Sequence, residues 1–540
     1  MKGKTAIAKI LKAEGVEFVT GFPYNPLFDA MAGEGIRPIK TRTERVAVNI
    51  ADGFTRASFG KRHGVCIMQW SSGVENAFAG VAHAFADSVP ILVLPGGNDR
   101  RRMVAPNFIA NQNYREITKW VDLINFADRA PEMMRLAFSY LKHGRPGPVM
   151  LEVPRDVMEE ELEDAAYYYR PVASHRSAGD LADVKEVAQA LIKAKCPVIR
   201  AGQGILYAEA WDVLREFAEW LQIPVYTTMN GKSAFPENHP LSLGTGGRSR
   251  PQTVLHFHDK ADLIFAIGSS CTIEFFTAPI PKSKPVIQST IDERDINKDY
   301  PVEHAIIGDA KLVLNQLLEE VKKLVPKREN RSVIGEIKAV KDEWMKEWLP
   351  KLTSDEIPIN PYRVIWDIMQ VFDEKDTIIT HDSGTPRDHM LPFYQANTPG
   401  SYIGWGKSTT LGQGLGLAMG AKLARPEKTC INFMGDGAFG MVGMDFETAV
   451  REQIPIITIL LNNSILGGYG KLQPMAIEHY SFNTVSGDYR KVAEGLGGYT
   501  ERVEKPKDII PALQRAKEAN DTGKAALIEI MDKEEPAFSQ

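Results

Sequence analysis

Short apolar runs closed by glycine, proline or a polar pair alternate with longer stretches whose apolar positions recur at helical spacing, and the alternation repeats along the chain. In the first repeat, residues 16–20, 39–43, 64–69 and 91–95 read as strands, with helical patterns at 5–14, 45–59 and 76–86. A second repeat opens with strand, turn and helix at 197–206 and continues with strands near 224–228, 261–267 and 285–289. The third has strands at 377–380, 429–434 and 454–461, and a helix over 444–452. Strands that alternate with helices build parallel sheets, because each crossover spends a helix on returning the chain to its starting edge. The expected fold is α/β, with three doubly wound parallel-sheet domains at 1–170, 182–325 and 361–540. Residues 159–179 lack clear periodicity and read as a first linker. Residues 326–360 read as a second, charged and solvated along most of its length.

Function in such sheets gathers at the carboxyl ends of the strands. The turn Gly435-Asp436-Gly437 closes the run at 429–434, and the run at 454–461 ends at Asn462-Asn463. Adjacent parallel strands end on the same side, so Asp436 and Asn463 converge there, and their oxygens suit magnesium. The two glycines let the backbone approach a ligand, and the helix expected beyond them aims its first N–H groups at a phosphate. Gly435, Gly437 and Gly440 also spell the dinucleotide fingerprint G-x-G-x-x-G. That fingerprint needs an acidic residue after the second strand, where this chain has two asparagines. A carboxylate inside the turn also repels a bare diphosphate, so a metal-bridged diphosphate is the better reading. Ordinary turn residues at two strand ends remain the alternative.

Composition changes this picture little. A chain of 540 residues exceeds one hydrophobic core. With 44% apolar and 25% charged residues it has the balance of an ordinary globular protein. The net charge of −5 gives no electrostatic case for nucleic acid or an anionic membrane. Cys66, Cys196, Cys271 and Cys430 lack the spacing of a zinc site or a disulfide framework. Lys9, Lys12 and Glu14 interrupt the first apolar stretch, which therefore reads as an amphipathic helix and not a signal peptide. The cytoplasm is the expected compartment, and no apolar run is long enough to span a membrane.

The stretch from Gly435 to Asn463 resembles the cofactor motif of thiamine-diphosphate-dependent enzymes, the superfamily of acetolactate synthases, 2-oxoacid decarboxylases and 2-hydroxyacyl-CoA lyases. TRTERVAVNIADGFTRASFGKRHGVC, residues 41–66, resembles that superfamily's segment with a catalytic glutamate, and HGRPGPVMLEVPRDV, residues 143–157, the one that closes the same domain. The resemblance covers nearly the whole chain, and its pattern is nearest to acetolactate synthase-like proteins. It implies that Asp436, Asn463 and the Ile465 carbonyl hold Mg2+ on the diphosphate of thiamine diphosphate, with Gly435, Gly437, Ala438 and Leu466 around it. Ser383, Gly384 and Thr385 form a glycine loop whose short hydroxyls suit phosphate oxygens, with a plain turn as the alternative. Leu411 is implied as the wedge that bends the cofactor, with the Thr409 carbonyl and Leu411 amide at its aminopyrimidine. Glu44 is implied as the carboxyl group on the pyrimidine ring nitrogen. From the residues alone, Thr41-Arg42-Thr43-Glu44 fits a helix capping box as well, and Leu411 fits a packed helix start.

Substrate choice is less legible. Asn25, Gln69 and Gln112 match positions where the family places polar side chains around the reacting carbonyl, and Tyr469 follows the metal asparagine. Simple decarboxylases of the family carry histidines and a carboxylate at such places. Amides can hydrogen-bond an oxyanion but do not shuttle protons. The expected activity is therefore that of a carboligase: an enamine made from a 2-oxo acid is transferred to a carbonyl acceptor, as transferase or lyase chemistry. A 2-oxoacid decarboxylase, a 2-hydroxyacyl-CoA lyase and a non-catalytic scaffold relative are the alternatives. His381 and His389, near the phosphate loop, read as packed side chains. In some members the central domain holds FAD or ADP, and Gly202-Gln203-Gly204 is the turn available for one here. With Glu44 in the first domain and Asp436 in the third, the resemblance also implies sites completed across subunits in a homodimer or homotetramer.

Overall fold

The computed structural model describes residues 1–540 except Asn330, Trp405 and Thr409, so the Thr409 carbonyl expected at the aminopyrimidine lies outside the described residues. The first sheet contains β1 (Phe18–Phe22), β2 (Arg37–Lys40), β3 (Val65–Met68), β4 (Leu92–Gly97), β5 (Trp120–Leu123) and β6 (Val149–Pro154), in the order β2-β1-β3-β4-β6-β5. The second contains β7 (Pro197–Ala201), β8 (Val225–Thr228), β9 (Ser242–Gly246), β10 (Leu263–Ile267), β11 (Val286–Thr290) and β12 (His304–Ile307), in the order β12-β11-β10-β7-β8-β9. The third contains β13 (Thr377–His381), β14 (Tyr402–Ile403), β15 (Thr429–Gly435), β16 (Ile457–Leu461), β17 (Tyr499–Val503) and β18 (Ala526–Ile530), in the order β14-β13-β15-β16-β18-β17. Every pairing within the sheets is parallel. The expected α/β fold with three doubly wound sheets is therefore present. Strands such as β3 and β16 are buried along their whole length between helices, which is why their sequences run apolar without alternating.

The first and third sheets share one topology, since β1 to β6 and β13 to β18 take corresponding places. In each, the helix after the second strand packs against its counterpart: Glu44–Ala57 crosses Gly414–Ala424. The crossing is close enough to require glycine. A Cβ on Gly53 would lie 2.2 Å from the Leu417 carbonyl oxygen, and one on Gly420 would lie 2.1 Å from that of Ile50. The central domain is locked to the third by Lys232, whose buried Nζ donates to both Glu237 carboxylate oxygens at 2.6 Å and to the Leu391 carbonyl at 3.1 Å. Glu237 in turn accepts from the Ala396 amide at 2.9 Å.

Two sequence expectations change. The helix expected over 444–452 is two shorter helices, Asp436–Val442 and Phe446–Arg451, so helix begins at Asp436 itself. Gly437, Gly440 and Gly443 weaken the helical pattern in sequence, while burial of Ala438, Phe439 and Val442 supplies the packing that forms the first turns. The segment read as a solvated linker contains the helix Arg331–Leu352, which buries Ile337, Trp344, Trp348 and Leu352. Trp344 stacks on Phe393 with ring centroids 5.0 Å apart. Lysines and glutamates on the remaining faces hide this narrow stripe in the sequence. Cys66, Cys271 and Cys430 are buried and Cys196 is half-buried, all as free thiols. Among the described residues no helix is long and apolar enough to cross a membrane.

Candidate active site

The exit of β15 and the exit of β16 meet. Asp436 is buried, and its oxygens accept from the Gly437 amide at 2.7 Å and the Ser464 amide at 2.8 Å. Asn463 accepts from the Ile465 amide at 3.0 Å and donates to Asp532 at 3.3 Å. The other asparagine, Asn462, is structural, with its amide donating to the buried Glu529 at 2.8 Å. Leu466 closes over the turn, so that a Cβ on Gly437 would meet its Cδ2 at 2.5 Å. Burial pushes the Asp436 carboxyl above its usual range, against the two amides that pull it down. Burial also raises Asp532, helped by the negative charge of Asp436, and one Asp532 oxygen is buried without a partner. Two neighbouring buried carboxylates beside an amide oxygen form an oxygen donor set of the kind that a hard divalent cation satisfies.

The loop after β13 borders this turn. Gly384 has φ +83 and leads into the helix Thr385–Phe393, while Gly467 approaches the Thr385 methyl. Asp382, which sequence reasoning missed as a site residue, organises the neighbourhood. Its buried carboxylate accepts from the amides of Ser383 at 2.7 Å, Gly412 at 2.9 Å and Gly414 at 2.9 Å. It thereby ties the Ser383-Gly384 loop to the Leu411 loop, where Gly412 has φ +89. Arg45, adjacent to Glu44, donates to the Leu411 carbonyl.

Glu44 is buried as the first residue of its helix. No capping box forms there: Thr43 is the cap and accepts from the Val46 amide at 3.4 Å. The Glu44 carboxylate instead accepts from Asn76 at 2.6 Å, and a Cβ on Gly73 would meet both Glu44 and Gln69. Asn25 lies in the same region, where a Cβ on Gly96 would sit 3.3 Å from its Nδ2. Its side chain caps the Pro26–Gly33 helix through Leu27 and donates to the Met68 carbonyl, both at 2.9 Å, which leaves one N–H for a ligand. Gln112 is exposed on the short helix Ala110–Asn113. Tyr469 is 47% exposed in the loop beyond Asn463, next to Leu472 at 74% and Tyr480 at 83%. His381 and His389 are packed in the interior. Asn76, Asp382 and Asp532 left no sequence signal because their partners lie far away in the chain or are backbone amides.

A separate cavity of about 410 Å³ lies where the first domain, the central domain and residues 406–407 meet. The ends of β7 and β10 to β12 open into it, and Gly202 and Gly204 line it in close contact with Gly268. Arg200 and Lys407 bring positive charge, and burial pushes the Lys407 ammonium down to about 8.

Residues 1–117, 184–317 and 382–530 match three families described as the N-terminal TPP binding, central and C-terminal TPP binding domains of thiamine pyrophosphate enzymes. The chain is 32% identical to the probable acetolactate synthase large subunit of Methanocaldococcus jannaschii, over 96% of this chain and 90% of that protein. It is 29% identical to the acetolactate synthase large subunit of Corynebacterium glutamicum, over 96% and 85% of the two chains. It is 28% identical to the glyoxylate carboligase of Escherichia coli O157:H7, over 96% and 90%.

Proposed function

The chain belongs to the thiamine pyrophosphate enzyme family, and from that premise we propose that it is a carboligase, which joins the fragment left by a 2-oxo acid to a second carbonyl compound. When bound, thiamine diphosphate supplies the nucleophilic carbon and the electron sink of such a reaction. Asp436, Asn463 and the Ile465 carbonyl would hold Mg2+, with Ser383, Gly384, Thr385, Gly435, Gly437, Ala438 and Leu466 around the diphosphate. Leu411 would set the bend of the cofactor. Glu44 would hold the pyrimidine ring nitrogen and support proton movement at the neighbouring amino group. Asn25 and Gln69 would orient the substrate carbonyl, with Gln112 entering from the short helix Ala110–Asn113 and Tyr469 from the exposed loop beyond Asn463.

The observation that carries carboligation is the chemistry of Asn25, Gln69, Gln112 and Tyr469. None is a histidine or a carboxylate, so protonation to a free aldehyde is slow relative to capture by an acceptor. Glyoxylate carboligase and acetolactate synthases among the relatives support the same reading. Incubation with pyruvate, alone and with aldehyde or 2-oxo acid acceptors, tests it by NMR of the products. A condensed hydroxy ketone or acetohydroxy acid is expected. Free aldehyde as the main product would favour a decarboxylase, and cleavage of a 2-hydroxyacyl-CoA without 2-oxo acid turnover would favour a lyase.

The assembly we propose is a homodimer or a pair of such dimers, in which Glu44 serves the cofactor held by the partner subunit. Support comes from residues 469–482, an exposed apolar stretch beside the Asn463 loop in which the helix Pro474–Tyr480 buries none of its residues. The basic, glycine-lined cavity of the central domain would suit the phosphates of FAD or ADP.

A further inference from the structure

Glu44 stands in the first turn of its helix, and that turn is held from the third domain of its own chain. Asp445 lies nine positions beyond Asp436 and is fully buried. Its Oδ1 accepts from the Arg42 amide at 2.7 Å and the Thr448 hydroxyl at 3.0 Å, and its Oδ2 accepts from the Thr43 hydroxyl at 2.9 Å. The same Thr43 hydroxyl caps the helix by accepting from Val46. One carboxylate thus fixes the two residues before Glu44 and, through the cap, the amide two residues after it. Arg45 adds a second tie, to the Leu411 carbonyl. Farther out, Arg37 donates to the Glu452 carbonyl and carboxylate, both at 2.8 Å, and Arg451 donates to the Lys40 carbonyl.

Burying a carboxylate is costly, and Asp445 is compensated chiefly by donors that belong to the approach to Glu44. We infer that Asp445 is a positioning residue that sets the direction of the Glu44 carboxylate by clamping Arg42 and Thr43 to the segment following the Gly435-Asp436-Gly437 turn. The inference rests on the reading that Glu44 serves the pyrimidine ring. Both Asp445 oxygens are taken up by protein donors, so its part is an indirect one. An asparagine at 445 keeps the shape but removes the charge: with its Oδ1 on the Arg42 amide, its amide N–H faces the Thr43 hydroxyl, which must turn from donor to acceptor, and the charge-assisted bonds of the clamp become weaker neutral ones.

The test uses D445N, T43V, E44Q and the double variant D445N/E44Q in the full chain. In cofactor-free protein, hydrogen exchange of the amides at 41–47 should speed up about tenfold or more in D445N, because the clamp bonds to Arg42 and Thr43 are no longer charge-assisted. Affinity for thiamine diphosphate with magnesium, measured by calorimetry, should stay within about threefold of the unsubstituted protein, a change of less than one such bond. Exchange of the cofactor's C2 proton should slow by at least about tenfold, within the usual range for a displaced acid–base group. The double variant should be no slower than E44Q alone. Unchanged amide protection, unchanged C2 exchange, or additive slowing in the double variant would each overturn the inference. T43V loses the clamp bond to Asp445 together with the cap bond from Val46, adds no buried donor, and gives the same readouts if D445N does not fold. E44Q exchanging at the normal C2 rate would instead remove the Glu44 reading, and the amide measurement would still report whether the clamp exists.

Discussion

Asp436 concentrates the chemistry at the scale of single residues. Each of its oxygens accepts one backbone amide and keeps a further lone pair for a cation, while Asp532 adds a second negative charge nearby. An alanine at 436 removes the carboxylate but leaves the turn glycines in place. D436A should weaken magnesium-dependent binding of thiamine diphosphate by about a hundredfold or more, as read by calorimetry. Asp436, Asn463 and Glu44 stood out in the sequence because motif spacing exposes them. Asp445 and Asp382 did not, since what marks them is a set of backbone amides brought close by folding. Asn25 reads in the sequence as a polar side chain near the reacting carbonyl, yet two of its hydrogen bonds are committed to a helix start and a strand end.

Among the secondary elements, the decisive contact is the crossing of the Glu44–Ala57 and Gly414–Ala424 helices, which fixes the Glu44 helix against the third domain of the same chain. G53A should strain this crossing, because the added carbon would fall within 2.2 Å of a backbone oxygen that cannot swing away. The expected cost is about 1–3 kcal/mol in denaturant unfolding, with slower turnover as the helices separate. Element types were legible wherever apolar periodicity was strong, as in the Glu44 helix and strands β3, β15 and β16. The Asp436–Val442 helix was hidden by its glycines, and the Arg331–Leu352 helix by its charged faces. In both, tertiary burial decided what local propensity left open.

For the whole molecule, stability depends on buried polar groups that join or fill the domains. Lys232 and Glu237 are both buried between the central and third domains, so K232M should leave an unpaired carboxylate and cost about 3–5 kcal/mol. The double variant K232M/E237L should recover most of that loss in a thermal melt. Histidines act differently. Burial lowers His389 to about 4 and both His258 and His381 to about 3, from an ordinary value of 6.5. The unfolded chain therefore takes up protons first as pH falls, and the stability present above pH 6.5 is lost between 6.5 and about 3–4. Each histidine withdraws about 1.4 kcal/mol per pH unit in that window, which urea midpoints at pH 7 and pH 5 can measure, and H389Q should flatten the slope. The shared topology of the first and third sheets places Glu44, after β2, and the Asp436 turn, after β15, at carboxyl ends of strands in sheets of the same order. Finally, burial divides the four thiols unequally, since Cys66, Cys271 and Cys430 are enclosed in the sheets and their flanks while Cys196 reaches solvent. A thiol-reactive dye should therefore label one position per native chain and all four once the domains open, a built-in clock for unfolding.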